Sequence, residues 1–68
     1  MMNGLVVRRG KEFLARKSAK SAYDDENGIS WSTEQQAARV YANHDSACRA
    51  ARKVGGTVRM LKNGRVVE

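Results

Sequence analysis

Residues 43–68 read NHDSACRAARKVGGTVRMLKNGRVVE, and the reading of this stretch decides the fold. Asn43 and Asp45 are both good helix N-caps, because a short polar side chain can accept from the unpaired amides of a first helical turn. Gly55-Gly56 stops the helix, since glycine enters the left-handed region that ends helices without a steric penalty. Thr57 to Lys62 and Arg65 to Glu68 then read as two strands around Asn63-Gly64, the preferred pair for a type I′ hairpin. That register sets Lys62 against Arg65, Leu61 against Val66, Met60 against Val67 and Arg59 against Glu68, with Val58, Met60 and Val67 expected to face the core. On the helix, Ala47, Ala50, Ala51 and Val54 form one stripe with Cys48 at its margin, and Arg49, Arg52 and Lys53 form the opposite one. Alanines on the inner stripe let a helix lie close to a sheet, so the strands must supply the large core side chains.

Working back to the N-terminus, Leu5 to Arg16 reads as another hairpin. Gly10-Lys11 forms its turn, and glycine at the first turn position suits type II′ geometry. Arg9 then faces Glu12, Arg8 faces Phe13, Val7 faces Leu14 and Val6 faces Ala15, so apolar residues fall on both faces of the sheet. Ser21 to Tyr23 and Ile29 to Trp31 read as short strand pieces around the acidic turn Asp24 to Gly28. That turn lacks the alternating ligands and closing glutamate of a calcium loop, and reads as a solvated turn. Tyr23 and Trp31 are assigned to core or edge packing in preference to ligand platforms, because a small domain needs its few large aromatics to build a core. Ser32 and Gln35 stand at capping-box spacing, which predicts a helix continuing to Ala42, with Arg39 pointing outward. Arg39-Val40-Tyr41 also fits a short strand, and so few residues cannot separate the two periods; helix is preferred.

Sixty-eight residues make one domain with a small core, burying roughly 60% of the surface its unfolded chain exposes. Cys48 is the sole cysteine, which excludes an intramolecular disulfide and a cysteine-cluster zinc site and suits a reducing cytosol. No basic segment precedes a long apolar run, so neither a signal peptide nor a membrane span is expected. The expected architecture is α+β: a small antiparallel sheet of N-terminal and C-terminal hairpins packed against one or two short helices.

The helix ending in Gly55-Gly56, the strand Thr57-Val58-Arg59-Met60-Leu61 and the turn Asn63-Gly64-Arg65-Val66 resemble the C-terminal part of small uncharacterised bacterial and phage domains. Trp31, Ala38 and Tyr41 ahead of the helix are similar to short phage accessory proteins. The resemblance covers about half of the chain. It implies a compact α+β fold and a mobile-element origin, in a bacterial or phage-infected cytosol, and it carries no catalytic residues.

The net charge of +6, from thirteen basic and seven acidic residues, points to an anionic partner or serves solubility alone. Nucleic acid or a nucleoprotein is the first expectation. Its candidate contacts are Arg49, Arg52 and Lys53 on the helix, Lys62 and Arg65 at the C-terminal turn, and Arg8, Arg9 and Lys11 at the N-terminal hairpin, near Arg16, Lys17 and Lys20. No base-reading motif accompanies them. The second expectation is a module that binds an acidic host protein as an inhibitor or regulator, with strand edges able to pair two copies into a homodimer. Catalysis, cofactors and metals are not expected. His44 lies beside Asp45 and one helical turn from Cys48, but neither spacing builds a site around a substrate.

Overall fold

The computed structural model describes residues 3–67; Met1, Met2 and the Arg59–Glu68 pairing lie outside them. The described residues form six strands, β1 (Gly4–Arg9), β2 (Glu12–Leu14), β3 (Tyr23–Asp24), β4 (Ser30–Ser32), β5 (Thr57–Lys62) and β6 (Arg65–Val67), one α-helix, α1 (His44–Val54), and a 3-10 turn at Gln35–Ala37. The strands form one antiparallel sheet in the order β3-β4-β2-β1-β5-β6. This is an α+β arrangement, mostly sheet, with α1 packed on it.

Both hairpin turns follow from their glycines. Gly10 has φ 62° and Lys11 stays at negative φ, as a type II′ turn requires; Asn63 at 52° and Gly64 at 77° give the two positive values of type I′. The C-terminal register sets Lys62 against Arg65, Leu61 against Val66 and Met60 against Val67, as the sequence indicates. In α1, the Asn43 side chain accepts from the Asp45 amide and Gly55 closes the far end at φ 73°. Ala47 and Ala51 are buried against the sheet while Arg49, Arg52 and Lys53 are exposed.

Val6 and Val7 are consecutive and both fully buried, so the central strand β1 is covered on both faces. Val7, Leu14 and Trp31 pack under α1 with Ala51, joined by Val54, Val58, Ile29 and Tyr41. Val6, Phe13 and Leu61 pack on the opposite face against Ala38, Val40 and Val66.

The cover of that second face overturns the expected helix over 32–42. Glu34, which precedes the 3-10 turn, makes no side-chain cap bond, and the Ser32 hydroxyl accepts from the Glu34 amide in place of a Ser32–Gln35 capping box. After Ala37 the chain is extended. The β1–β2 ladder has only the pairs Arg9–Glu12 and Arg8–Phe13, so the expected Val7–Leu14 and Val6–Ala15 pairs do not continue it. The two strands part, and residues 37–41 enter the gap. Arg39 N donates to Leu14 O (2.8 Å) and Arg16 N to Ala37 O (3.1 Å) on one side, while Leu5 and Tyr41 exchange bonds of 2.8 and 2.7 Å on the other. Open strand edges on both sides reward an extended Arg39-Val40-Tyr41 with backbone bonds that a surface helix would not supply.

The expected inward orientation of Met60 and Val67 is also corrected. Strand alternation places them on the α1 face, but toward the β6 edge, where the alanine-faced helix ends its cover; they are 55% and 48% exposed. Leu61 and Val66, of opposite parity, face the second cluster instead. At that edge Gln35 donates to the Gly64 carbonyl and accepts from the Val66 amide (3.3 Å), occupying a β6 hydrogen-bonding group that would otherwise be available to another strand.

A paired substitution separates two glycine roles. A Cβ at Gly55 meets open space at positive φ, which asparagine tolerates, whereas a Cβ at Gly56 lies 2.9 Å from both Arg8 O and Val7 Cγ1. Gly55→Asn is expected to cost less than about 1 kcal/mol, and Gly56→Asn roughly 1–3 kcal/mol or more from overpacking, measured by urea unfolding; the reverse order contradicts the close packing of α1's end on β1.

Candidate basic groove

The hairpin from β3 to β4 fixes one wall of the candidate site. The Asp25 carboxylate accepts from the amides of Asn27 (2.8 Å) and Ile29 (2.9 Å) and from the Trp31 indole (2.8 Å). The Ile29 amide, then the Trp31 indole, hold its pKa below the ordinary carboxylate value. Asp24 accepts from the Ser30 hydroxyl at 2.6 Å. Both aspartates of the acidic turn are thus bonded within the hairpin. Over the buried Trp31 ring lies the Arg9 guanidinium, 3.9 Å from the ring centroid, with Nη1 donating to the Val54 carbonyl at the end of α1 (3.4 Å). Tyr23, at the sheet edge, is raised in pKa by its hydrogen bond to Glu12.

Between this hairpin, β2, the inserted segment and α1 runs a groove of about 330 Å³. Its partly or fully buried lining is apolar apart from Ser30: Leu14, Ala15, Ile29, Tyr41, Ala50 and Val54. Three exposed cations from three separate segments line it as well, namely Lys17 after β2, Arg39 in the inserted segment and Lys53 on α1. The Arg39 guanidinium sits 5.7 Å from the Tyr41 ring centroid. An adjoining depression shares Lys17 and Arg39 and adds Arg16; a further one shares Arg16 and adds Lys20, with Glu34 beside them. Arg16 Nη2 donates to the Gln36 carbonyl (3.0 Å), which ties its guanidinium to the 34–37 segment.

The structure scatters the other candidate residues. Lys11 is exposed on the β1–β2 turn, and Arg9 is committed to Trp31 and Val54. Arg8 lies 5.6 Å from the Phe13 ring centroid and donates through Nε to Gly10 O (2.9 Å). Gly56 packs on Arg8, so α1's basic last turn and the Gly10-Lys11 turn share one end of the molecule. Lys62 and Arg65 sit at the other end of β5, roughly 17 Å away for six extended residues. Arg49 and Arg52 are exposed on α1's outer side. Of the residues that the sequence marks as principal contacts, Lys53 alone lines the groove; Lys17 comes from the wider N-terminal basic cluster. Arg39 escapes the sequence reading because a helix over 32–42 points it to solvent with no partner. The strand reading of 39–41 is the signal that finds it.

His44 Nδ1 and Cys48 Sγ approach to 3.5 Å on the first turns of α1, as their four-residue spacing allows. Among the described residues, no three His, Cys, Asp or Glu side chains gather to hold a metal ion, and no helix is long and apolar enough to cross a membrane. Comparison of the chain with protein-family models, curated proteins and solved structures finds no match.

Asp25 gives the site wall a pH dependence whose sign is fixed. Its pKa is lower folded than unfolded, so its contribution is fully present above the unfolded value near 4 and is lost as pH falls through the lower folded one. Urea midpoints measured from pH 7 to pH 2 should fall along an acid limb, and Asp25→Asn should lower the neutral-pH midpoint and flatten that limb. An unchanged limb in Asp25→Asn contradicts the clamp.

Proposed function

We propose that the protein binds nucleic acid, or a nucleoprotein, through a basic surface centred on the groove lined by Lys17, Arg39 and Lys53, acting as a small phage-type accessory protein in the cytosol. The observation that carries this reading is the convergence of three cations from distant parts of the chain on one groove, continued by Arg16 and Lys20. Solubility alone does not require cations to be grouped, so their grouping supports this reading. The two aspartates nearest the groove's Ile29 wall are engaged by Ser30, Trp31 and backbone amides, so their carboxylates are bonded locally. The contacts are with phosphates and therefore largely independent of sequence. Arg49 and Arg52 extend the positive surface outward along α1.

A second reading, binding of an acidic host protein as an inhibitor or regulator, draws on another region. Met60 and Val67 are cross-strand partners left exposed, and strand alternation puts Lys62 and Arg65 on the same face. That face has the apolar centre and charged rim of a small protein contact.

Binding to labelled oligonucleotides across a salt series separates these readings. Replacing Lys17, Arg39 and Lys53 together by glutamine is expected to weaken binding about tenfold or more and to flatten the log–log salt slope by about two, since each neutralised phosphate contributes roughly 0.7–0.9 to that slope. Arg49→Gln with Arg52→Gln should change affinity less than about threefold. Greater weakening by Arg49→Gln with Arg52→Gln than by the triple variant moves the site to the helix stripe. Absence of salt-dependent binding by the unaltered protein, with a stoichiometric complex with one host protein, favours the second reading.

A further inference from the structure

We propose that the groove receives one unpaired base, so that the protein prefers single-stranded over duplex nucleic acid. This rests on the nucleic-acid reading and specifies its substrate. The groove is divided by chemistry: Leu14, Ile29 and Tyr41 offer apolar or ring surface inside, and the ammonium and guanidinium groups of Lys17, Arg39 and Lys53 belong to exposed side chains at its border. A ligand matching that division has a flat, weakly polar part that leaves water and an anionic part that stays at the rim. A nucleotide has both. The groove's volume of about 330 Å³ lies at the small end of ligand sites, suited to a single ring system rather than a helix of stacked pairs.

A base within a duplex has its faces covered by neighbours and must be unstacked to enter a cleft, whereas a single strand offers its bases freely. The Arg39 guanidinium lies over the Tyr41 ring, 5.7 Å from its centroid, so an entering base stacks on this pair, against the guanidinium plane or, with Arg39 swung aside, against the ring. The phosphates flanking the inserted base then meet Lys17 and Arg39, and the strand continues past Arg16 toward Lys20. Selection among bases is weak on this wall. The Ser30 hydroxyl donates to Asp24 and its carbonyl accepts from Ala15 N (2.9 Å), so these groups are engaged within the protein. Stacking discriminates little between bases.

Fluorescence anisotropy with three probes of equal length tests this: a twelve-nucleotide oligo-dT strand, an oligo-dA strand of the same length, and their duplex, at one fixed salt concentration. The full chain is expected to bind either single strand about tenfold or more tighter than the duplex, with the two strands within about fivefold of each other. Tyr41→Leu, which keeps apolar volume but removes the ring, should erase most of that advantage. The wild-type comparison stands alone if the variant fails to fold. Equal or tighter binding of the duplex overturns the unpaired-base proposal while leaving the basic-surface reading intact. No binding to any probe overturns both.

Discussion

The structure depends on the parting of β1 from β2. These strands are joined by a tight turn at Gly10-Lys11 and pair for only two residues each before they diverge. Backbone groups exposed by such a gap must find partners, because an unpaired buried amide or carbonyl costs as much as a broken hydrogen bond. Residues 37–41 supply them, bonding to Leu14 and Arg16 on one flank and to Leu5 on the other. Three consequences follow from that one insertion. Ala38 and Val40 cover Val6 and Phe13, giving the sheet a second buried face; Tyr41 joins the cluster under α1; and Arg39 comes to lie beside the same groove as Lys17.

A second constraint holds the opposite wall. The fully buried Trp31 is gripped at its indole nitrogen by Asp25 and on its ring face by Arg9, and Arg9 also reaches the C-terminal carbonyl of α1. One side chain thereby joins the first hairpin, the aromatic core and the helix end. An arginine in such a place is fixed by packing and by the helix dipole, and its charge is used within the fold. This is why Arg9, in a run of basic residues that looks like contact surface, has a structural occupation.

How far the sequence shows this depends on whether a feature is local. The helix from Asn43 to Gly55, the two hairpin turns and the alanine stripe are legible because caps, turn glycines and periodicity act over a few residues, while the strand pieces expected at 21–23 and 29–31 form one to two residues later, as Tyr23–Asp24 and Ser30–Ser32. The 32–42 segment is not, because its extended course answers a vacancy created by strands more than twenty residues earlier, and tertiary demand outweighs the Ser32–Gln35 capping signal. Met60 and Val67 fail for a related reason: alternation gives their face correctly, but the reach of a short helix across that face is a matter of packing. The groove shares this difficulty. Its cations are visible as residues, yet their meeting requires the inserted segment, so the sequence marks only Lys53 as a principal contact and leaves Arg39 in solvent.

Function enters through the same geometry. A basic composition alone serves solubility as well as recognition, and dispersed charge distinguishes neither. What favours recognition is that Lys17, Arg39 and Lys53 border a mostly apolar recess, while the nearby aspartates are bonded into their own turn. The recess exists because residues 37–41 are held extended between β1 and β2. Amide hydrogen exchange read residue by residue by NMR tests that most directly. The amides of Leu5, Arg16, Arg39 and Tyr41 should be protected together, to a degree comparable with the β1–β5 ladder; rapid exchange at Arg39 and Tyr41, with helical contacts between residues three apart across 34–42, contradicts the insertion and removes the groove with it.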